Sequence, residues 1–341
     1  MSARPVYSIV APVYNEAGNL QRFCDEVALA LDSTGESWEL LLVDDGSTDG
    51  SKEIMLQLAA ADSRLSVIGL ARNFGHQIAV TAGVDYARGK AVILIDADLQ
   101  DPPAVIPRLA DKWKEGFQVV YAVRSERRGE SFWKRFTAKL FYRMIHRITD
   151  IDIPVDTGDF RLMDEQVAQV LRQMREHHRF VRGMTSWVGF KQTGVEYVRE
   201  QRAWGETKYP LRKMIAFALD AVTSFSFFPL QIMIYVSFIL ASASLVVGAI
   251  VSFLRLARGE EFFGGQATTI ILLLLLSSFQ LFFLFVIGQY VARTYNESRD
   301  RPLYVVASTA GLRRAQAPTQ RMQVSAAFPH QAEEETRNDG V

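Results

Sequence analysis

Apolar positions divide the chain into three zones. Up to roughly residue 210 they come in short bursts separated by polar stretches. Residues 229–292 are dominated by Leu, Ile, Val and Phe, and from Ser308 onward the chain is polar and poor in aromatics. In the first zone, β-branched and aliphatic runs at 7–11, 39–43, 65–70, 91–95 and 119–123 read as strands. Residues 20–32 and 51–62 have the spacing of amphipathic helices. Strand alternating with helix predicts an α/β domain with a mostly parallel, Rossmann-like sheet, whose ligands bind beyond the carboxyl ends of the strands.

The second zone has a different period. Residues 230–254 and 268–292 carry no charged side chain. Each is long enough, at ~1.5 Å per residue, to cross a ~30 Å hydrocarbon core. Lys208, Arg212 and Lys213 precede the pair, and Arg293, Arg299 and Arg301 follow it. The connecting loop sets Arg255 and Arg258 against Glu260 and Glu261. The bias of basic residues predicts two membrane spans with both chain termini cytoplasmic. Residues 131–148 place Phe132, Phe136, Leu140 and Met144 at helical spacing among Lys134, Arg135, Lys139 and Arg143, the pattern of an interfacial helix or of a surface helix packed on its own domain. Residues 211–228 read similarly, as a juxtamembrane amphipathic helix. The resulting organisation is a catalytic domain over 1–210, the juxtamembrane helix, two spans within 229–295, and a cytoplasmic tail over 296–341 that is disordered toward its end.

Composition narrows the function. Lys plus Arg and Asp plus Glu both total 38 in 341 residues, so no net field draws the chain to nucleic acid. Cys24 is the only cysteine and reads as packing; an intramolecular disulfide is excluded. The first residues, MSARPVYSIV, lack the long apolar stretch of a secretory signal. No G-x-G-x-x-G follows any predicted strand, which removes the main support for a dinucleotide oxidoreductase. The adjacent His177 and His178 have no other ligand type near them in sequence and do not suggest a metal site.

The chemistry-bearing residues follow the strands as the fold class requires. PVYNE follows the first strand, DDGSTD the second, RNFGHQ the third, DADLQD the fourth, and Arg124 ends the fifth. Asp96, Asp98 and Gln100 emerge from an apolar strand. Carboxylates there are costly unless they meet a cation, and hard oxygen donors suit Mg²⁺ or Mn²⁺ bridging substrate phosphates; loop acids or a helix cap are the plainer alternative. Asp44 and Asp45 can accept hydrogen bonds from a ribose or base, or together with Asp49 shape a Gly-Ser turn. Asn15 and Glu16 can cap the helix that begins near Leu20, and His76 can line a pocket or make a structural hydrogen bond.

Together these motifs, PVYNE (12–16), VDDGSTD (43–49), RNFGHQ (72–77), DADLQDPP (96–103), TGDFRLMD (157–164) and RAWGETKYPLRK (202–213), resemble the GT-A transferases of glycosyltransferase family 2. Within that family they resemble the polyprenyl-phosphate branch, which includes bactoprenol glucosyltransferases and dolichyl-phosphate mannose synthases. The resemblance runs from Ser8 to about Tyr295. It implies a metal-dependent hexosyl transfer, with inversion, from a nucleotide-sugar to a polyprenyl phosphate such as undecaprenyl phosphate at the cytoplasmic membrane face. It also implies Mg²⁺ or Mn²⁺ as cofactor, the bilayer as partner and a homo-oligomeric state. By the same resemblance Pro12, Tyr14, Glu16 and Asp45 look like the nucleotide pocket, with Asp44 and Asp96 on the nucleotide-sugar. Asp98 and Gln100 look like the metal ligands. Arg124, Arg135, Arg202 and Lys208 look like phosphate holders, and Asp159 like the catalytic base. A phosphate monoester with a second pKa near ~6 needs little base catalysis, so Asp159 can instead orient the metal, an arginine or the sugar. UDP-glucose is the first expectation for the donor, with UDP-N-acetylhexosamine, an amino-arabinose derivative and GDP-mannose open. A processive polysaccharide synthase and a non-catalytic membrane scaffold that binds lipid phosphate are the competing readings.

Overall fold

A computed structural model describes residues 4–124, 157–198, 228–258 and 266–312. The proposed interfacial helix at 131–148 and the juxtamembrane helix at 211–228, all but its last residue, lie outside the described residues, as do Arg135, Arg202 and Lys208.

Five strands form where the apolar runs predict them: β1 (Tyr7–Val13), β2 (Trp38–Asp44), β3 (Leu65–Leu70), β4 (Ala91–Leu94) and β5 (Val119–Arg124). The first four are buried along their whole length, as strands covered on both faces must be. The helices between them are α1 (Leu20–Asp32), α2 (Ser51–Ala61), α3 (His76–Tyr86) and α4 (Ile106–Lys114). In α1 the stripe Leu20, Phe23, Cys24, Val27 and Leu31 is buried, which includes the lone cysteine in packing as expected. Further along come β6 (Thr157–Asp164), α5 (Glu165–Gln173), α6 (Val181–Trp187), β7 (Gln192–Tyr197), α7 (Phe228–Arg258), α8 (Gln266–Ser298) and β8 (Val306–Ala310).

The sheet order is β7-β5-β6-β4-β1-β2-β3-β8. Strands β1, β2, β3 and β4 pair in parallel, as do β5 and β7, whereas β6 runs antiparallel between β4 and β5 and β8 antiparallel to β3. The chain leaves β1 toward β2 and β3, then returns to the other side of β1 as β4. This reversal opens a crevice at the carboxyl ends of β1 and β4, where open α/β sheets bind ligands. Antiparallel β6 serves the crevice in another way. Because Arg161 pairs with Leu94 near the end of β4, the opening residues of β6, Thr157 to Asp159, reach the same rim as the loop after β4. Apolar cores fill both faces of the sheet, one around Tyr7, Phe23, Leu40 and Phe160, the other around Val10, Ile68, Met163 and Met184.

Helices α7 and α8 contain apolar stretches, Leu230–Ile250 and Leu272–Ser298, with mean hydropathies of 2.2 and 2.1, long and apolar enough to cross a membrane. One expectation is corrected here. The polar stretch from Ser308 onward suggests no regular element, yet Ser308, Thr309 and Ala310 belong to β8 and pair with Gly69, Ile68 and Val67. The strand gives no hydrophobic signal because it lies at the sheet edge, with residues alternating between half-buried and exposed. It ties the end of α8 to the carboxyl end of β3, the site-bearing side of the sheet. The last turn of α8 also meets the loop after α5, where the backbone N–H of His177 donates to Glu297 at 2.8 Å and its Nδ1 lies 3.1 Å from the same carboxylate.

Candidate active site

The loops after β1, β2 and β3 are knitted together by their own polar side chains. Asn15 sits at φ 57°, and its side-chain oxygen accepts from the Thr48 N–H at 2.8 Å, while its own N–H donates to Ser47 Oγ. Asn15 therefore joins two loops rather than capping α1; Glu16 accepts from Asn19, and its N–H donates to Ser51 Oγ. Asp44, buried, accepts the Ser47 N–H and closes the turn. Asp49 accepts from Ser51 and Ala17, and although burial opposes ionisation these bonds hold its carboxyl below the ordinary range. Gly46, at φ +76°, lies against the backbone of Arg72 and Asn73: a Cβ would come within 2.7 Å of the Asn73 nitrogen, so only glycine lets the second and third loops touch.

Asp45 uses one carboxylate oxygen on the Phe74 N–H at 2.7 Å and the other on the Gly75 N–H at 2.9 Å. Burial raises its pKa, and those two bonds oppose the rise. Pro12, Val13, Tyr14, Asp45, Asn73, Gly75 and His76 then line a cleft. Tyr14 is half-exposed at 49%, so its ring is available to a planar partner. Of the expected nucleotide residues, Pro12, Tyr14 and Asp45 share this cleft. Asp44 and Glu16 make the turn and loop contacts behind it.

Asp96 and Asp98 stand in the loop after β4. Between Asp98 and Gln100, the buried Leu99 is held at φ 58°, a conformation that costs a non-glycine residue on the order of 1 kcal/mol. The Gln100 N–H donates to Asp98. Burial, with the neighbouring charges of Asp159, Asp101 and Asp98 and against the pull of His76, pushes the Asp96 carboxyl up to about 6. A carboxyl raised by burial and by the acids around it suits a cation. Among the described residues no group of three or more His, Cys, Asp or Glu is arranged to hold a metal on its own. The donor set instead fits Mg²⁺ or Mn²⁺, which accept one or two carboxylates and fill their remaining positions with phosphate and water.

Asp159 is a hub. Buried at 9% exposure, it accepts from Arg182 Nε at 2.8 Å on one oxygen and from Gln77 Nε2 at 2.9 Å on the other, with His76 Nε2 at 3.1 Å from that second oxygen. Burial opposes its charge, but Arg182, His76 and Arg161 outweigh it and hold the carboxyl well below the usual carboxylate range. A carboxylate so acidic and so occupied is a poor proton acceptor, and the geometry argues for positioning over base catalysis. His76 also lies 3.6 Å from Asp96. Burial disfavours its charge, yet Asp159 and Asp96 raise its pKa to about 9. Buried Arg161 donates to the Asp159 and Gly158 carbonyls and to Thr185 Oγ1, so it holds the start of β6 from behind. Across the rim, Arg124 donates to Tyr197, which in turn donates to Asp101.

Gln77, Arg182, Asp101, Arg161 and Tyr197 were not singled out from sequence. Gln77, Asp101 and Arg161 lie inside the quoted motifs, where position alone could have flagged them. Arg182 and Tyr197 carry no local signal.

Known proteins align with this architecture. A model of glycosyl transferase family 2 matches residues 8–172. The chain is 48% identical over 312 residues to the "uncharacterized glycosyltransferase YkcC" of Bacillus subtilis (strain 168), covering 92% of this chain and 96% of that one. It is 38% identical over 299 residues to the "prophage bactoprenol glucosyl transferase homolog" of Escherichia coli (strain K12), covering 88% and 97%. It is also 38% identical, over 88% and 97%, to the "bactoprenol glucosyl transferase" of Shigella phage SfV. Among solved structures, glucosyl-3-phosphoglycerate synthase from Mycobacterium tuberculosis overlays 64% of this chain and 78% of its own at 19% identity, with a TM-score of 0.42.

Proposed function

Given that the chain belongs to glycosyl transferase family 2, we propose that it transfers a sugar, with inversion, from a nucleotide-sugar to a polyprenyl phosphate at the cytoplasmic face of a membrane. UDP-glucose is the first donor to try, since relatives sharing 37–38% of its residues carry the name bactoprenol glucosyl transferase. The observation that carries the reading is that the cleft lined by Tyr14 and Asp45 and the acid-bearing loop after β4 meet at His76, which lines the cleft and lies 3.6 Å from Asp96, in a chain with two helices long and apolar enough to span a bilayer. A polyprenyl chain stays in the membrane, so only its phosphate can reach a cytosolic site, and β8, which follows α8, pairs its first residue with Leu70 at the carboxyl end of β3.

Pro12 and Tyr14 would take the base and Asp96 the sugar or ribose, while Asp98 and Gln100 would hold Mg²⁺ or Mn²⁺. That cation, when bound, would neutralise charge growing on the leaving diphosphate. Arg124 serves the same charge from the opposite side of the rim, joined in this reading by Arg135, Arg202 and Lys208. Asp159 keeps His76, Gln77 and Arg182 in place beside Asp96 and takes no proton. The acceptor phosphate is already ionised at neutral pH, so it attacks the anomeric carbon directly, opposite the leaving group.

The test uses the purified full chain in detergent with undecaprenyl phosphate, a panel of nucleotide-sugars and Mg²⁺ or Mn²⁺. Release of nucleoside diphosphate and formation of lipid-linked sugar are followed together. Turnover should require lipid, metal and Asp98, and vanish in Asp98→Ala. A folded protein that binds polyprenyl phosphate but turns over no donor would favour a non-catalytic scaffold and sink this reading.

A further inference from the structure

Arg124 closes β5 and Tyr197 closes β7, and the two residues are direct partners in the parallel register of those strands. Tyr197 is buried, its ring edge-on to Phe160 with centroids 6.2 Å apart. The Arg124 Nε donates to the tyrosine oxygen at 3.3 Å, and the tyrosine hydroxyl donates to Asp101, whose exposure is 1%. Burial, and then the Asp101 charge, push the Tyr197 ionisation far above its usual range, so the hydroxyl keeps its proton and the chain of bonds has one direction, guanidinium to phenol to carboxylate. Such a chain polarises each of its links. On its other side the Arg124 guanidinium lies over Gly158: a Cβ there would stand 2.8 Å from Nη2 and 3.6 Å from Asp101 Oδ2. The φ of Gly158 is not in the left-handed region, so backbone conformation does not demand glycine at this position. The missing side chain makes room for the arginine.

An arginine left to itself samples many rotamers, and ordering it costs conformational entropy. Here the ordering is built in before any ligand arrives, by a buried acid, a buried phenol and a glycine bed drawn from three separate segments. A planar fork held this way gains selectivity for an anion of matching geometry. Surface arginines that merely keep a domain soluble have no such support.

We propose that Asp101 and Tyr197 are positioning residues that aim the Arg124 guanidinium at the outer phosphate of the donor diphosphate, with Gly158 as the bed it lies in. The proposal rests on the donor-site reading above.

The test is calorimetric titration of the full chain in detergent and Mg²⁺ with UDP, UMP, GDP and GMP, beside thermal unfolding of every variant. The wild type should prefer a diphosphate to its monophosphate. Tyr197→Phe keeps the ring and removes the link, and should weaken diphosphate binding about tenfold while leaving the monophosphate within about twofold. Gly158→Ala deletes no hydrogen bond but its methyl displaces the guanidinium, and it should reproduce that selective loss with an unchanged melting temperature. In an Arg124→Ala background, Tyr197→Phe should cost nothing more. Equal losses for mono- and diphosphate, no loss at all, or a full tenfold loss that persists without Arg124 would each overturn the positioning role. A wild type that binds no nucleoside diphosphate would sink the donor-site reading itself, an outcome separate from those three.

Discussion

Replacing Arg182 with methionine removes the cation from Asp159 while keeping an unbranched apolar stem of similar length. The carboxylate is 9% exposed and, among the described residues, would retain His76 and Gln77 as its side-chain hydrogen-bond partners. Breaking a buried ion pair from one side costs about 3–5 kcal/mol, and a hydrogen bond to a charged group is worth about 1.5–3 kcal/mol. The Arg182 side chain is 28% exposed and two donors remain, so the low end applies, about 2 kcal/mol. For a domain of this size that lowers the melting temperature by about 4–8 °C. Two controls separate an unpaired charge from lost packing. Adding Asp159→Asn removes the charge, so the double variant should regain at least half of the lost stability while staying inactive. The pH dependence has a fixed sign as well: the Asp159 pKa is depressed in the fold, so its contribution is present above the unfolded value near ~4 and lost as pH falls below it. The gap between wild type and Arg182→Met should therefore be full at pH 7 and narrow progressively as pH falls below about 4. A double variant no more stable than the single one, or a gap that ignores pH, would refute the reasoning.

The raised pKa of His76 has the opposite sign: its stabilising charge is present below ~6.5 and lost as pH rises through about 9. With 41% of the side chain exposed the effect is discounted to about 1 kcal/mol, visible as a fall in melting temperature from pH 6 to 9.5 that His76→Gln should abolish. Asp45→Ala orphans the Phe74 and Gly75 N–H groups and should cost about 2 kcal/mol and weaken nucleotide binding together; full binding at reduced stability would show that the cleft wall does not depend on this clamp. A chain ending at Val305 uncovers the edge of β3 and should aggregate on gel filtration in detergent, whereas an unchanged elution profile would make β8 dispensable.

Strands β1 to β5 were legible because each is a run of apolar residues bounded by turn chemistry, and burial on both faces leaves no other use for such runs. The site was legible to the extent that loops after parallel strands are where ligands bind, which placed Tyr14, Asp96 and Asp98 at one rim without knowledge of any contact. Antiparallel β6 was visible only as the motif TGDFRLMD, and the direction that lifts Asp159 to the rim is set by pairing with β4, which no local pattern encodes. Strand β8, VASTA, consists of small residues that alternate between half-buried and exposed, and its sequence carries no hydrophobic period. The partners of Asp159 lie 83, 82 and 23 residues away, so its tight hold on three donors, and with it the weakness of a base assignment, depends on tertiary contacts.

The same contacts sort the acids of this rim, which are indistinguishable by residue type. Asp44 and Asp49 are occupied by N–H groups of the loop they shape, Asp45 by the N–H groups of Phe74 and Gly75, and Asp159 by Arg182, Gln77 and His76. The chain itself supplies the positive ends of those bonds, and these four residues work as architecture. Asp96 is different: its neighbours Asp159, Asp101 and Asp98 add to the burial that raises it, and one histidine at 3.6 Å opposes them. Fixing four acids with internal donors leaves the remaining negative charge focused on the loop after β4, beside the cleft. Like charges kept together in a partly buried site are costly for the free protein, and a divalent cation arriving with a diphosphate removes that cost. The strained Leu99 backbone between Asp98 and Gln100 fits the same account, since such strain persists only where the surrounding structure fixes it and clusters at ligand-binding sites. Donor and cation should accordingly bind as a pair, each raising the affinity for the other.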